Sequence, residues 1–428
     1  MTKYPTYKDS GIEWLGQIPT HWELLKAKYM FQKNKREVQD GDKVITCFRD
    51  GQVTLRENRR TTGFTESITE IGYQGIRKGD LVIHQMDAFA GAIGVSDADG
   101  KGTSVYHCCT PKGEYLTYYY AHVIREMALK GYIQSLYRGI RERSSDFNYV
   151  TFGNCLLPVP TPSEQRQIVA YLDYKSNKIN ERICQREREL QTLSELKQAE
   201  IATVVTRGLV PNVPMKESGI EWLGKIPAHW NVKRIASVSH EINDSNVTME
   251  YTQPSQFKFG EIVLKSIIGE GEYDENIKKC TLFKKNDILI NGLNLNYDFV
   301  TQRVAKSNYD GIITPAYIVI RVKDGLSADY AMFLFKSIDN KKIFNGWGTG
   351  IRLTLSYKEL KKQCIPIPPK EEQDAIVAYL QSRITFIDNY IAKLKEEINY
   401  LQEYKQRLIS DVVTGKVDVR GVEIPNEE

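Results

Sequence analysis

Two segments, beginning near residues 163 and 371, carry apolar side chains at alternating spacings of three and four residues. This period places the apolar positions on one stripe of an α-helix and is typical of a coiled coil. Neither segment contains Pro or Gly before Thr206 or Thr414, and prolines just ahead of both mark the predicted helix starts. Each helix is predicted to run for about 44 residues, roughly 65 Å. The predicted seam positions are Leu172, Ile179, Ile183, Leu190, Leu193, Ile384, Ile387, Ile391, Leu394, Ile398, Leu401 and Leu408.

The two segments are copies of each other. Glu164-Gln165 recurs as Glu372-Gln373, and SGIEWLGQIPTHW at 10–22 recurs as SGIEWLGKIPAHW at 218–230, both 208 positions later (218 − 10). The stretches between the repeated parts, 23–155 and 231–363, share almost no sequence. A repeat of this length indicates a duplicated structural unit. The chain therefore contains the same frame twice, meaning the repeated segments, and a different segment lies within each copy of the frame.

Matched long helices in one chain favour antiparallel pairing within that chain. A coiled coil between two copies of the chain is the alternative that periodicity leaves open. Intramolecular pairing would hold two globular domains at the ends of a pseudo-twofold rod. The predicted bounds are 1–160 for the first globular domain, 161–207 for the first long helix, 208–218 for a linker, 219–368 for the second globular domain, 369–415 for the second long helix and 416–428 for a C-terminal tail.

The two divergent segments are predicted to be mixed α/β domains with a common fold. Residues 78–83 (KGDLVI) and 285–290 (KNDILI) are turn-then-strand patterns at nearly the same place in the repeat. The stretches 115–136 and 328–344 have helical patterns, and Gly-Ile-Arg recurs at 139–141 and 350–352. The domains should therefore differ mainly in their surface loops.

The short repeat holds a histidine at His21 and His229. A metal ligand or catalytic base is one interpretation, but no other ligand residue recurs beside either histidine. We expect instead that the aromatic residues of this repeat form a clasp between a helix end and the next domain. Because the tail after Thr414 would lead back to the first clasp, the two termini are predicted to lie close together.

Composition limits the class of protein. With 428 residues, 41% hydrophobic and 26% charged, the chain is expected to form two or three globular domains. It shows no signal-peptide pattern and no apolar run long enough for a membrane helix, so a cytoplasmic location is expected. Seven cysteines without CxxC pairs indicate neither a zinc site nor a disulfide framework, and the adjacent Cys108 and Cys109 are expected to be buried thiols rather than a redox pair.

Catalytic motifs are missing from the sequence. The glycines near residues 89–94 lack the spacing of an AdoMet-binding loop, and 94–103 departs from the P-loop pattern. Glu195-Leu196-Lys197 recurs as Glu403-Tyr404-Lys405 and resembles a nuclease Glu-x-Lys pair, but its mid-helix position predicts a solvated helix face. The chain alone is not expected to be an enzyme, and no catalytic residue and no metal ligand is predicted.

The net charge of +4 neither establishes nor excludes a nucleic-acid ligand. Both divergent segments carry a small excess of Lys and Arg, so phosphate contacts would be shared with a partner. Arginine suits guanine edges, and Asn or Gln suits adenine. The candidate DNA-contacting residues, chosen by residue type, are Arg56, Arg59, Arg60, Arg138, Arg141, Arg143, Asn294, Asn296, Tyr297, Gln302, Arg303 and Arg352. Each of them is also compatible with an ordinary surface role.

The doubled EQxxIVAYL helix, with GIEWLGxIPxHW ahead of each divergent domain, resembles the specificity subunit of type I restriction–modification enzymes. The resemblance covers essentially the whole chain. It implies a non-catalytic subunit in which two target-recognition domains each read one half of an asymmetric, bipartite DNA site. The helix pair would set the spacer and dock methyltransferase subunits, two in number, with restriction subunits joining to cleave. AdoMet, ATP and Mg²⁺ would belong to those partners, and this chain would hold no cofactor.

Two other classes of protein remain open at this stage. A transcription regulator with two fused DNA-binding modules would also lack catalytic motifs, although neither divergent segment contains a recognisable helix-turn-helix. A scaffold that joins two protein partners would carry divergent domains without DNA affinity. A binding assay on the chain purified with its co-expressed neighbours distinguishes the scaffold from the DNA-binding alternatives.

Overall fold

The computed structural model describes residues 2–59, 72–136, 147–258, 260–265, 274–297 and 302–425. It divides into two compact units, Met1–Gln185 with Glu397–Glu428 (unit 1) and Arg186–Glu396 (unit 2). The bounds predicted from sequence treat each long helix as a separate segment, whereas each unit of the structure contains a part of both helices. None of the helices in the described ranges is long and apolar enough to cross a membrane.

Unit 1 contains many short strands, one helix of 13 residues and parts of both long helices. Its elements, in chain order, are β1 (Tyr7–Asp9), β2 (Gln17–Pro19), β3 (Glu23–Lys26), α1 (Ala27–Met30), β4 (Phe31–Asn34), β5 (Ile45–Cys47), β6 (Val53–Leu55), β7 (Gln74–Ile76), β8 (Leu81–His84), β9 (Ile93–Val95), β10 (Gly100–Gly102), β11 (Tyr106–Pro111), α2 (Thr117–Leu129), α3 (Tyr132–Ser135), α4 (Tyr149–Asn154), β12 (Leu156–Val159) and the first part of α5 (Pro162–Arg207).

The centre of unit 1 is an antiparallel sheet in the order β4-β11-β8-β9. Strand β8 pairs Ile83 with His107 of β11 on one side and with Ile93 of β9 on the other. Leu81 to Ile83 are fully buried, as expected for an apolar run in the middle of a sheet. Helix α2 packs against this sheet, and its Tyr119, Tyr120 and Val123 belong to the same apolar cluster as Leu81 and Ile83. Cys108 and Cys109 are buried in β11 as free thiols, as predicted.

Unit 2 repeats this arrangement. Its elements are the rest of α5, β13 (Met215–Glu217), β14 (Lys225–Pro227), β15 (Asn231–Arg234), α6 (Ile235–Val238), β16 (Ser239–Glu241), β17 (Pro254–Lys258), β18 (Glu261–Leu264), α7 (Asp274–Lys278), β19 (Thr281–Phe283), β20 (Ile288–Ile290), β21 (Val304–Lys306), β22 (Gly311–Ile313), β23 (Ile318–Val322), α8 (Ala328–Asn340), α9 (Ile343–Trp347), α10 (Tyr357–Leu360), β24 (Cys364–Ile367) and the greater part of α11 (Lys370–Val413).

The central sheet of unit 2 has the order β16-β23-β20-β21, which matches the central sheet of unit 1 strand for strand. The two units therefore share the order of their central sheet. The peripheral strands differ. Unit 2 adds a four-stranded sheet, β18-β17-β22-β19, with one parallel pair, whereas the described part of unit 1 has the two-stranded pairs β5-β6 and β7-β10. The divergence in sequence is thus concentrated at the edges of a common core.

The turn that precedes each central strand explains its repeated aspartate. Asp80 and Asp287 are almost completely buried, and each accepts a hydrogen bond from the backbone N–H three residues earlier. Asp80 also binds the guanidinium of Arg36, and Asp287 binds that of Arg321. A buried carboxylate needs both hydrogen bonds and a counter-charge. Both domains therefore have the buried aspartate, but its arginine partner comes from a different part of the fold in each domain.

The long helices run antiparallel within each unit. In unit 1, Asn180 of α5 binds Lys405 of α11 at 2.8 Å, and Arg182 binds Glu397 at 3.3 Å, so positions rise on one helix as they fall on the other. In unit 2, Lys197 lies 2.6 Å from Asp388, and Glu200 binds Arg383. The seam positions predicted from sequence differ in burial. They comprise the buried Leu172, Ile179, Ile387, Leu394, Ile398 and Leu408 and the half-buried Ile183, Leu190, Leu193, Ile384, Ile391 and Leu401.

Candidate nucleic-acid interface

The repeated histidine-tryptophan pair closes a clasp in each unit. His21 lies 3.1 Å from Glu164 at the start of α5, and His229 lies 2.8 Å from Glu372 at the start of α11. The clasp is not chemically identical in the two copies. The Trp230 indole N–H donates to Glu372 at 2.9 Å, whereas the Tyr4 hydroxyl donates to Glu164 at 2.5 Å. Because each histidine pairs with a helix-end carboxylate, a structural role accounts for both histidines.

The same tryptophans also cover the ends of the long helices. Gly208, which follows α5, and Gly415, which follows α11, both have positive φ angles, a conformation that favours glycine. A side chain at Gly208 would meet Trp230 at 3.3 Å, and one at Gly415 would meet Trp22 at 2.9 Å. Each clasp therefore joins the start of one long helix to the end of the other, which confirms the predicted aromatic clasp. In unit 1, Thr2 also pairs with Asp418, so described residues near the two termini lie together, in agreement with the prediction.

The glutamine of the repeated EQ pair fixes each globular domain to its helix. The Gln165 side chain donates to the Pro160 carbonyl at 3.0 Å and accepts from the Leu116 N–H at 2.8 Å. Gln373 makes the same two contacts, with the Pro368 carbonyl at 2.9 Å and the Ser327 N–H at 2.8 Å. Leu116 and Ser327 immediately precede α2 and α8. The repeated residues thus orient the domain helix, and the loops beyond are free to vary.

In unit 1, two of the predicted DNA-contacting arginines lie beside the β5–β6 hairpin. Arg56 begins a short 3-10 helix after β6, and Arg59 follows it. Arg59 donates to Asp50 at 2.7 Å, and its guanidinium lies over the Phe48 ring at 4.2 Å. Predicted contacts that lie outside the described residues are Arg60, Arg138, Arg141 and Arg143.

In unit 2, three predicted contacts come together where two loops meet. Asn294 and Asn296 lie in the loop after β20, and Arg352 lies in the loop after α9; all three are exposed. The backbone N–H of Leu295 donates to the Leu353 carbonyl at 2.9 Å, which joins the two loops. Gln302 is also exposed, while the side chain of Tyr297 lies outside the described residues.

Arg303 has a different position from the other predicted contacts in unit 2. It is 9% exposed, and its guanidinium donates to the carbonyls of Asn291, Leu293 and Asn294. Because the guanidinium is buried and bonded to these three carbonyls, it stabilises the loop and is not positioned to contact a ligand. We therefore assign Arg303 a positioning role, in contrast to its selection from sequence as a DNA contact.

The second Gly-Ile-Arg lies in a described loop of unit 2, whereas the first, at 139–141, lies outside the described residues. The loop that contains Arg352 ends at Leu355, whose N–H donates to the Gly292 carbonyl after β20 at 2.9 Å. In unit 1, the N–H of Phe147 donates to the Gln85 carbonyl after β8 at 3.1 Å. Leu355 and Phe147 are therefore each bonded beside the end of the equivalent central strand, β20 in unit 2 and β8 in unit 1.

Three cations that were not among the predicted contacts lie near the β5–β6 hairpin. Arg49 binds Asp87 at 2.8 Å, and Arg125 of α2 donates to the Arg49 carbonyl at 3.1 Å. Lys405 of α11, which interacts electrostatically with Asp50, is half-buried, as is its repeat equivalent Lys197. Their recurrence 208 positions apart was the available sequence signal.

The described residues contain no group of His, Cys, Asp and Glu arranged to hold a metal ion. The described residues do include exposed guanidinium and amide groups, which lie on loops beside the central sheets. Such groups suit hydrogen bonding to base edges and phosphates.

Comparison with known proteins agrees with this chemistry. Residues 227–400 match the family model described as the type I restriction modification DNA specificity domain. The chain is 22% identical over 443 residues to the protein named as the MjaX type I restriction enzyme specificity subunit of Methanocaldococcus jannaschii, covering 95% of this chain and 96% of that protein. It is 25% identical over 305 residues to the MjaVIII specificity subunit of the same organism, covering 63% and 64%.

Two solved structures share the fold. One comes from a study of complex assembly and conformational transition of the type I R-M system, with a TM-score of 0.66, 16% identity, and coverage of 94% of this chain and 99% of that one. The other is the HsdS subunit from Thermoanaerobacter tengcongensis, with a TM-score of 0.52, 17% identity, and coverage of 94% and 98%. Residues 227–400 thus correspond to a type I restriction modification DNA specificity domain, and the chain is similar over almost its whole length to a type I restriction enzyme specificity subunit.

Proposed function

We propose that this chain selects the DNA site of a type I restriction–modification complex by reading two different half-sites. The observation that supports this most strongly is the pair of units with one central sheet order but different edge strands and loops. In unit 1 the reading surface is the β5–β6 hairpin with the loop after β8. In unit 2 it is the pair of loops that carry Asn294 and Arg352. Different surfaces on equivalent frames favour an asymmetric, bipartite target.

The long helices act as an intramolecular coiled coil that sets the spacing between the half-sites. Support comes from the antiparallel contacts in each unit and from the clasps at the helix ends. Because backbone hydrogen bonds stiffen a helix, a helix pair is a suitable spacer element. Helix length would then determine how many base pairs separate the half-sites.

The helices also dock the methyltransferase subunits, two per complex. Tyr379, Phe386 and Tyr390 of α11 are 41%, 65% and 40% exposed, and their spacing of seven and four residues places them on one stripe. Aromatic side chains exposed along one stripe suit a protein interface. Catalysis then belongs to the partners, which bind AdoMet for adenine methylation and ATP with Mg²⁺ for restriction. The complex acts in the cytoplasm.

The decisive experiment is to express the chain with its methyltransferase subunits in a host without other adenine methylation and to sequence the methylated adenines. We expect one motif with two unlike halves and a fixed gap. Replacing residues 23–155 with the corresponding segment of a relative should change one half and leave the other half and the gap intact. A palindromic or continuous motif, or a motif in which both halves change, would contradict the proposal.

A further inference from the structure

We propose that Ile351 is a specificity-determining residue of unit 2, whose side chain packs against the 5-methyl group of a thymine in the major groove, next to the base pair that Arg352 contacts. This inference rests on the proposed DNA-reading function. It adds to that function an apolar contact with a base, whereas the contacts predicted from sequence were selected for their polar groups.

Ile351 lies at the tip of a tight hairpin. We call the segment from Thr349 to Thr354 the tip hairpin, because these two residues pair as an antiparallel bridge and exchange backbone hydrogen bonds of 3.0 and 2.9 Å. The Leu353 N–H donates to the carbonyl three residues earlier at 3.0 Å. Ile351 and Arg352 are therefore the two central residues of a β-turn, and both are exposed.

The base of the tip hairpin is closely packed. Leu353 contacts the apolar core of unit 2 and has a φ angle of 43°, a left-handed conformation that leucine rarely adopts. Leu355, two residues later, is 2% exposed. A side chain at Gly348 would meet Leu295 at 2.9 Å and Leu353 at 3.2 Å. Because a rare backbone conformation persists only where its surroundings hold it, the tip is presented from a fixed base.

The residue type at position 351 is not explained by packing within unit 2. The Ile351 side chain is 100% exposed. A single exposed apolar residue is ordinary, so exposure alone does not indicate a ligand. However, Gly-Ile-Arg occurs at both 139–141 and 350–352, although the segments that contain the two copies share almost no other sequence. A contact with the same class of ligand in both domains accounts for this recurrence.

The residues around the tip hairpin suit DNA better than a protein surface. The segment 341–355 contains three exposed cations, Lys341, Lys342 and Arg352, and no Asp or Glu. Asn294 is exposed on the loop that is bonded to this segment. Cations attract the phosphate backbone, whereas the core of a protein interface is depleted of charged residues. One isoleucine among such groups is therefore suited to a base edge.

The shape of the tip hairpin selects the groove. The major groove of B-DNA admits a two-stranded β-ribbon, and it displays the thymine 5-methyl group, which apolar side chains contact. Arginine pairs with the guanine edge in the same groove. Because Ile351 and Arg352 are adjacent in the turn, we expect the half-site of unit 2 to contain a thymine next to a G·C pair.

The test measures DNA binding by the chain in complex with its methyltransferase subunits. The probe is a duplex that carries the motif found by methylation sequencing, and the half-site of unit 2 is the half that remains when 23–155 is exchanged. Deoxyuridine replaces each thymine of that half-site in turn, on either strand, which removes only the methyl group. We expect one position at which wild-type binding weakens about fourfold, the value for one buried methyl group.

Ile351→Ala should bind the unmodified duplex on the order of tenfold more weakly than the wild type, because it loses several apolar groups. It should also lose the effect of deoxyuridine at the sensitive position, since the methyl group then has no partner. The matched control is Val210→Ala, which shortens a side chain of unit 2 that is 63% exposed. This control should bind like the wild type. The melting temperature of Ile351→Ala should be unchanged, because the side chain is not packed.

Several results would overturn the inference and leave the proposed function standing. They are a half-site of unit 2 without thymine, Ile351→Ala binding like the wild type, a deoxyuridine effect that persists in Ile351→Ala, or a lowered melting temperature of that variant. If Ile351→Ala fails to assemble with the methyltransferase subunits, the tip hairpin contacts protein and the inference is wrong. If the wild-type complex does not bind its motif, the inference and the proposed function both fall.

Discussion

Truncation of a buried residue on α11 tests whether packing between the long helices stabilises unit 2. Leu394 is 3% exposed, and Tyr390, one turn earlier, donates a hydrogen bond to Glu189 of α5 at 2.7 Å. This part of α11 therefore lies beside α5. Leu196 of α5 is 45% exposed and offers a matched leucine on a helix of the same unit.

The expected cost of Leu394→Ala follows from burial. Replacing a buried leucine with alanine typically lowers the free energy of unfolding by about 2–5 kcal/mol. Because one side of a helix pair is open to solvent, neighbouring side chains can move into part of the cavity. We therefore expect Leu394→Ala to lower the free energy of unfolding of unit 2 by about 2–3 kcal/mol. In a unit of this size, 1 kcal/mol shifts the melting temperature by about 2–4 °C, so the midpoint should fall by roughly 4–12 °C.

The assay is thermal unfolding of the full chain followed by circular dichroism at 222 nm, with Leu196→Ala measured in parallel. The control should stay within about 0.5 kcal/mol because its side chain is already largely in water. A shift below 2 °C for Leu394→Ala, or equal shifts for the two variants, would refute the claim that the helix pair is a packed element of unit 2.

Four further predictions can be checked on the same preparations. Tyr330→Phe removes a buried hydroxyl that donates to the Val205 carbonyl at 2.9 Å, so denaturant unfolding should show a loss of about 1–2 kcal/mol. Because burial lowers the folded-state pKa of His122, on α2, to about 4, the unfolded chain binds more protons between pH 6.5 and 4. Stability should therefore fall as the pH drops through that window, and His122→Asn should reduce this fall whereas His240→Asn, at an exposed site, should not. A permutant that joins the termini and opens the chain near Asn212 should direct methylation to the same bipartite motif; a changed gap would show that the 207–217 linker sets the spacing. The isolated chain should transfer no methyl group from AdoMet to DNA, and transfer by the chain alone would overturn the non-catalytic role.

The long helices could be predicted from sequence because their signal extends over many turns. The segment from residue 163 to Thr206 is found as α5 (Pro162–Arg207), and the second copy as α11 (Lys370–Val413). Repetition also revealed the clasp, since the same His-Trp pair precedes each divergent domain. The partner of each histidine was not predictable, because the pairing of His21 with Glu164 depends on how the chain folds back over the whole first domain.

The edges of the two domains could not be predicted in the same way. Strands such as β5 and β6 contain three residues each, too few to show a period of two. The four-stranded peripheral sheet of unit 2 depends on one parallel pair, β17 with β22, whose members are far apart in sequence. Residue type alone also selected Arg303 as a DNA contact, although burial makes it a support for the loop after β20.

The contacts in the two copies also explain how a duplicated frame can carry two different domains. Residues that pair with other frame residues, such as Glu164 with His21, are kept in both copies because a change in one partner would leave the other unsatisfied in a half-buried site. Asn180 and Asp388 are frame residues too, but each faces a lysine at a helix surface, where a carboxylate and an amide oxygen can both accept the bond. Such positions can change charge without loss of the fold. They are therefore positions at which the two copies of the frame can differ in charge while the contact between the long helices is kept.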